Sequence, residues 1–140
     1  MIDELTAMQA LVHERGFTCH LISADEAISY PYVVISPGYG RPGERPLSER
    51  LDSVDHDVQV RYVGSSPASM LGLMKTVRAI LSPHKGPRRL AVPGRNARVK
   101  FLRHELTDQD RDVTVTATGR HPHYGVDTFH LVSTPETREP

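Results

Sequence analysis

The sequence predicts an α+β domain: a mixed, mostly antiparallel β-sheet with two α-helices packed on one face and long loops between strands. Three patterns point there. Residues 3–14 and 67–81 repeat apolar side chains at helical spacing, residues 54–63 alternate apolar and polar, and strands follow one another in runs. The expected order is α-β-β-loop-β-α-loop-β-β-β, with residues 1–133 as one domain and 134–140 as a flexible polar tail.

The first helix rests on Leu5, Met8, Leu11 and Val12, which share one face. Asp3 and Glu4 stand in its first turn, where the helix dipole favours anions, and Gly16 stops it. Phe17–Ile22 reads as a short strand and Ser23–Tyr30 as a polar connection. Tyr32–Ser36 (YVVIS) is β-branched and almost continuously apolar, which suggests a strand buried on both faces or central in the sheet. The stretch Ser36–Ser53 holds three Gly, three Pro and six charged residues, with Leu47 and Leu51 its only aliphatics able to reach a core. Loops of that length in a small domain carry function or stay disordered.

In Val54–Val63, apolar Val54, Val58, Val60 and Tyr62 alternate with Asp55, Asp57, Gln59 and Arg61, the signature of a half-exposed strand. Ser66 and Pro67 then supply an N-cap and a first helical residue. The following helix, Pro67–Leu81, carries a broad stripe of Met70, Leu71, Leu73, Met74, Val77, Ile80 and Leu81, best read as core. Ser82-Pro83 ends it. Residues 83–97, with three Pro and two Gly, read as irregular. Strands are expected at Val99–Glu105, Val113–Thr118 and Val126–Ser133, with a turn at Asp108–Asp112.

Composition narrows the function classes. Lys+Arg and Asp+Glu both total 17, which excludes a uniformly basic nucleic-acid binder. Aromatics are 6% with no Trp, which argues against a base-stacking platform. No apolar run approaches a membrane span, and the opening MIDELTAMQALVHERG lacks the basic start of a signal peptide, so no membrane partner is expected. The single Cys19 builds neither an internal disulfide nor a thiolate metal cluster. The reading is a soluble domain made in a reducing compartment.

The motifs that could carry chemistry fall short. Gly38–Gly43 matches G-x-G-x-x-G after a strand, but Pro42 and Pro46 oppose the helix a phosphate site needs. Asp108, Asp110 and Asp112 resemble the start of a calcium loop, yet Val113 replaces its glycine and Gly119 its glutamate. His121 and His123 read as turn residues and His130 as a strand residue, rather than converging ligands. Cys19 lies among Phe17, Leu21 and Ile22, where a buried thiol is the default. No catalytic residue, metal or cofactor is assigned, and the chain is not read as an enzyme.

Charge is the informative feature. Lys85, Arg88, Arg89, Arg95, Arg98, Lys100 and Arg103 fall between Ser82 and His104 without one acid, seven of the 17 cations. Acids gather in the first helix, in Asp52–Asp57 and from Glu105 to Asp112. Blocks of opposite sign on a neutral chain suit self-association or one anion-facing patch.

In order along residues 1–133, these features resemble the tail terminator (tail completion) proteins of long-tailed, siphovirus-like bacteriophages. The resemblance rests on the short helix and strand, then Y-P-Y-V-V-I-S with its Gly/Pro-rich loop (Tyr30–Gly43). It continues with D-V-Q-V-R-Y-V-G (Asp57–Gly64) running directly into S-S-P-A-S-M-L-G-L-M-K-T-V-R-A-I-L (Ser65–Leu81) and further strands. The resemblance implies a structural virion protein, a homo-oligomer forming a hexameric ring in the tail at the head–tail interface, assembled in the host cytoplasm. Such a ring caps the tail tube protein, stops tube polymerisation and joins the tail to a neck or head–tail connector protein. DNA passes through its lumen without sequence readout. The expected interface residues are Tyr39, Arg41, Arg45, Leu47 and Leu51 in the first long loop and Arg88, Arg89, Arg95 and Arg98 in the basic stretch. The alternatives are a neck or head-closure connector subunit of the same virion and a small nucleic-acid-binding module using the basic loop.

Overall fold

The computed structural model describes residues 2–22, 31–38, 54–107 and 123–135. It contains α1 (Ile2–Glu14), β1 (Cys19–Leu21), β2 (Tyr32–Pro37), β3 (Val54–Gly64) and α2 (Pro67–Leu81). A single 3₁₀ turn (Pro83–Lys85) leads to β4 (Arg88–Leu90), β5 (Arg95–Thr107) and β6 (His123–Pro135). The strands form one six-stranded sheet in the order β1-β2-β3-β6-β5-β4. β1 and β2 are parallel and every other pair is antiparallel. This is the α+β architecture expected from the pattern. β6, the last of the described strands, lies between β3 and β5.

One face of the sheet meets both helices. Val33 and Ile35, Val58, Val60 and Tyr62, Ala97 and Val99, and Phe129 and Leu131 are buried on it. Leu5, Met8 and Val12 of α1, with Met70, Leu73, Met74, Val77 and Leu81 of α2, complete the same core. The period-two and helical patterns thus converge on one apolar layer. β2 lies between β1 and β3 with Val33, Val34 and Ile35 all buried, in accord with its continuous apolar run.

Local chemistry sets the ends of α2. Ser66 is extended, and its hydroxyl accepts from the Ser69 N–H at 3.1 Å, with Pro67 following. Gly64 ends β3 against the helix start, where a Cβ would lie 2.7 Å from the Met70 nitrogen. A side chain there would push strand and helix apart. At the other end Ser82 is buried. Its hydroxyl donates to the Gly86 carbonyl at 2.6 Å and accepts from the Phe101 N–H at 2.9 Å, tying the turn to β5. At the end of α1, Gly16 takes φ +87°, the left-handed value that only glycine holds without strain.

Several expectations need correction. Residues 83–97 are not irregular throughout: they contain the 3₁₀ turn, β4 and the start of β5. A three-residue strand such as β4 has too few side chains to show a period, and its pairing with β5 supplies the order. The polar tail begins later than residue 134, because Thr134 and Pro135 pair with Asn96 and Arg95. His123 stands at the start of β6, not in a turn. The first strand is shorter than Phe17–Ile22. The strand expected at Val113–Thr118, the turn at Asp108–Asp112, the connection Ser23–Tyr30 and residues 39–53 lie outside the described residues.

Thermal melts of three alanine variants of α2 check this packing. Leu73→Ala, at a buried position, should cost about 2–5 kcal/mol, and Val77→Ala should also destabilise through lost contact and a residual cavity. Leu71→Ala, at a site 47% exposed, should stay within about 0.5 kcal/mol of wild type.

Candidate functional site

Of the nine residues expected at an interface, Tyr39, Arg41, Arg45, Leu47 and Leu51 lie outside the described residues. The other four divide by the pleat. Arg88 and Arg95 point to the helix side and Arg89 and Arg98 to the opposite side. Arg88 is half-buried, and its Nη1 donates to the Ile80 carbonyl at 2.9 Å, satisfying an open carbonyl near the C-terminus of α2. Arg95 donates through Nε to Ser133 Oγ at 2.6 Å and through Nη2 to the Ser133 carbonyl at 3.0 Å. It also lies 3.9 Å from the buried Glu4 carboxylate, linking β5 to α1. These two arginines brace the fold.

A polar cluster that the sequence reading missed sits inside the core. Asp127 of β6 is fully buried. Its Oδ2 accepts from the Tyr62 hydroxyl and from Arg78 Nε, each at 2.9 Å. Its Oδ1 accepts from Arg78 Nη2 at 2.8 Å and lies 2.8 Å from His104 Nδ1. One carboxylate thus joins α2, β3, β5 and β6. The two-pronged arginine contact is the strong form of this pair. The Arg78 guanidinium also lies 4.5 Å from the centroid of Phe101, which meets Phe129 edge-on at 5.7 Å. Burial, together with the Asp127 charge, pushes the Tyr62 hydroxyl well above its ordinary range. The bond to Asp127 holds Arg78 still more firmly protonated. A signal for this cluster was present: Asp127 is in phase with Phe129 and Leu131, so an acid occupies a core position of a period-two strand.

The helix-free face carries a second group. His130 Nε2 lies 2.9 Å from Asp55 Oδ1, and its Nδ1 lies 3.0 Å from Asp57 Oδ1. Both contacts are hydrogen bonds only when the ring carries both protons, as imidazolium. Across β5 the same face presents Arg98, Lys100 and Arg103, all exposed, with Arg103 paired to Glu105 at 2.6 Å. Glu105 also accepts from Thr128, and that hydrogen bond leads in holding its carboxyl below the ordinary range.

The remaining candidates offer less. Cys19 is buried, and burial pushes its thiol up to about 12, so it behaves as a small apolar group. Its carbonyl accepts from Gln9 Nε2 at 2.8 Å and lies 3.0 Å from His13 Nε2. Side chains of α1 therefore cover that carbonyl at the outer edge of β1. Among the described residues no group of three His, Cys, Asp or Glu is placed to hold a metal ion. No helix among them is long and apolar enough to cross a membrane. An open cleft of about 480 Å³ runs along residues 89–95, and another of about 310 Å³ lies over Val34, Arg61 and Val126 on the helix-free face.

The Asp127 cluster is testable by calorimetry across pH. Arg78→Met leaves a buried carboxylate without its main partner and should cost about 3–5 kcal/mol. Tyr62 has a raised folded pKa, so its contribution is fully present below its unfolded value of 10.0 and is lost as pH rises toward the folded value. Tyr62→Phe should melt lower at neutral pH and should lose less further stability than wild type between about pH 9 and 11. Comparison with protein-family models and with curated proteins finds no match for the chain.

Proposed function

We propose that this chain is a structural virion protein: the subunit of a ring that caps the tail tube of a long-tailed bacteriophage, stops tube growth and joins the tail to the neck. The observation that carries the reading is the unit Asp57–Leu81. The motif that most resembles tail terminators there folds as β3 passing through Gly64 into the Ser66-capped α2, and it organises the core. Exposed charge of both signs, Asp55 on β3 and Arg98 and Lys100 on β5, also supports an assembly subunit that contacts its own kind. The partners in this reading are further copies of the chain in a hexameric ring, the tail tube protein, a neck or head–tail connector protein, and DNA in the lumen contacted through phosphates alone.

A second reading draws on Arg89, Arg98 and Lys100, which stand exposed on adjoining strands. On that reading the chain is a small phosphate-binding module whose affinity falls steeply with salt. A neck or head-closure subunit is the third, and binding to isolated connectors rather than to tubes distinguishes it.

Mass by light scattering, combined with negative-stain micrographs, separates these. The terminator reading expects rings of about six copies of the 15.6 kDa chain, alone or on tube ends. A species that stays monomeric, ignores tubes and binds DNA instead refutes it. Arg89→Glu, at an exposed site, should weaken ring formation with little change in melting temperature. Arg88→Glu should instead lower the melting temperature, because it removes the donor to Ile80.

A further inference from the structure

The helix-free face of the sheet is ordered by charge in rows. In one row Asp55 stands opposite Val132, Val132 opposite Arg98, and Arg98 opposite Arg89. In the next, Asp57 stands opposite His130 and His130 opposite Lys100. Each row therefore passes from acid on β3, across β6, to base on β5. Adjacent strands lie about 4.8 Å apart, so acid and base in a row are about 10 Å apart. Arg98 and Lys100 make no hydrogen bond or ion pair within the described residues. Arg98 also stands directly opposite Arg89 of β4.

We propose that this face pairs with the same face of a second copy, about a two-fold axis running along β6. A half-turn about that axis keeps each residue at its level along the strand and exchanges the β3 side with the β5 side. Asp55 of one copy then faces Arg98 of the other, and Asp57 faces Lys100. Val132, 37% exposed, meets its counterpart on the axis. Two sheets packed this way are aligned and about 10 Å apart, the ordinary geometry of sheet-on-sheet packing. His130 lies 2.9 and 3.0 Å from the two acids and, like Val132, meets its counterpart on the axis, while the Asp55 side chain remains 60% exposed. A second copy fits better than nucleic acid. A polyanion drawn to Arg98 and Lys100 would meet Asp55 and Asp57 about one Debye length away, whereas the same face satisfies both signs. This like-with-like contact is independent of the ring, which joins unlike patches.

Sedimentation velocity over a concentration series at low and high salt tests the pairing. The expected result is a doubling of the sedimenting mass with concentration, weakened by salt. Arg98→Glu with Lys100→Glu should lower the association constant about tenfold or more, since symmetry counts each lost pair twice. Asp55→Lys with Asp57→Lys should do the same, and mixing the two variants should restore pairing. Val132→Asp should abolish it, whereas Leu71→Asp on the exposed side of α2 should not. If the lysine variant fails to fold, the glutamate variant and Val132→Asp decide the matter. A wild type that never doubles at low salt, or doubling unaffected by Arg98→Glu with Lys100→Glu, overturns the proposal. Rings persisting in micrographs of that variant would leave the ring reading standing while pairing is lost.

Discussion

The fold depends on one buried carboxylate. Asp127 lies on β6, and its four contacts come from α2, β3 and β5. Burying a charge is costly unless its partners are in place, so β6 fits stably only where Tyr62, Arg78 and His104 already converge. An apolar residue at that position would pack without demanding those partners. We infer that the acid makes the insertion of β6 between β3 and β5 specific, as buried polar groups do in some other folds. Arg95 and Arg88 act similarly at the margin, fastening β5 to β6 and α1, and β4 to the end of α2.

Much of this architecture was legible in the sequence, and the reason differs by element. The helix Pro67–Leu81 was readable because cap, proline and apolar stripe agree with one another. β3 was readable because Val58, Val60 and Tyr62 alternate with Asp57, Gln59 and Arg61, and the apolar side is indeed the core side. β4 was not readable, because three residues contain no period, and it is their pairing with β5 across the short 91–94 connection that orders them. The roles of the arginines were hidden for a related reason. Arg88 and Arg89 are neighbours in a basic run, but the pleat sends one to the Ile80 carbonyl and the other to the helix-free face. Composition counts charges, whereas register decides which of them brace the fold.

The same register gives the helix-free face its polarity. Acids on β3 and bases on β5 flank β6 at matched levels, and only their alignment across three strands makes a gradient. Linear sequence shows the two blocks but not that they share a face. A neutral chain with so ordered a surface is well suited to contact its own kind, in keeping with the proposed role as an assembly subunit.

The most direct measurement of that role is the length of tail tubes grown from purified tube protein in the presence and absence of this chain. The account predicts that substoichiometric amounts bind tube ends, halt elongation and narrow the length distribution. Tubes that grow to the same lengths with the chain present in excess, and no bound chain at their ends, would contradict it.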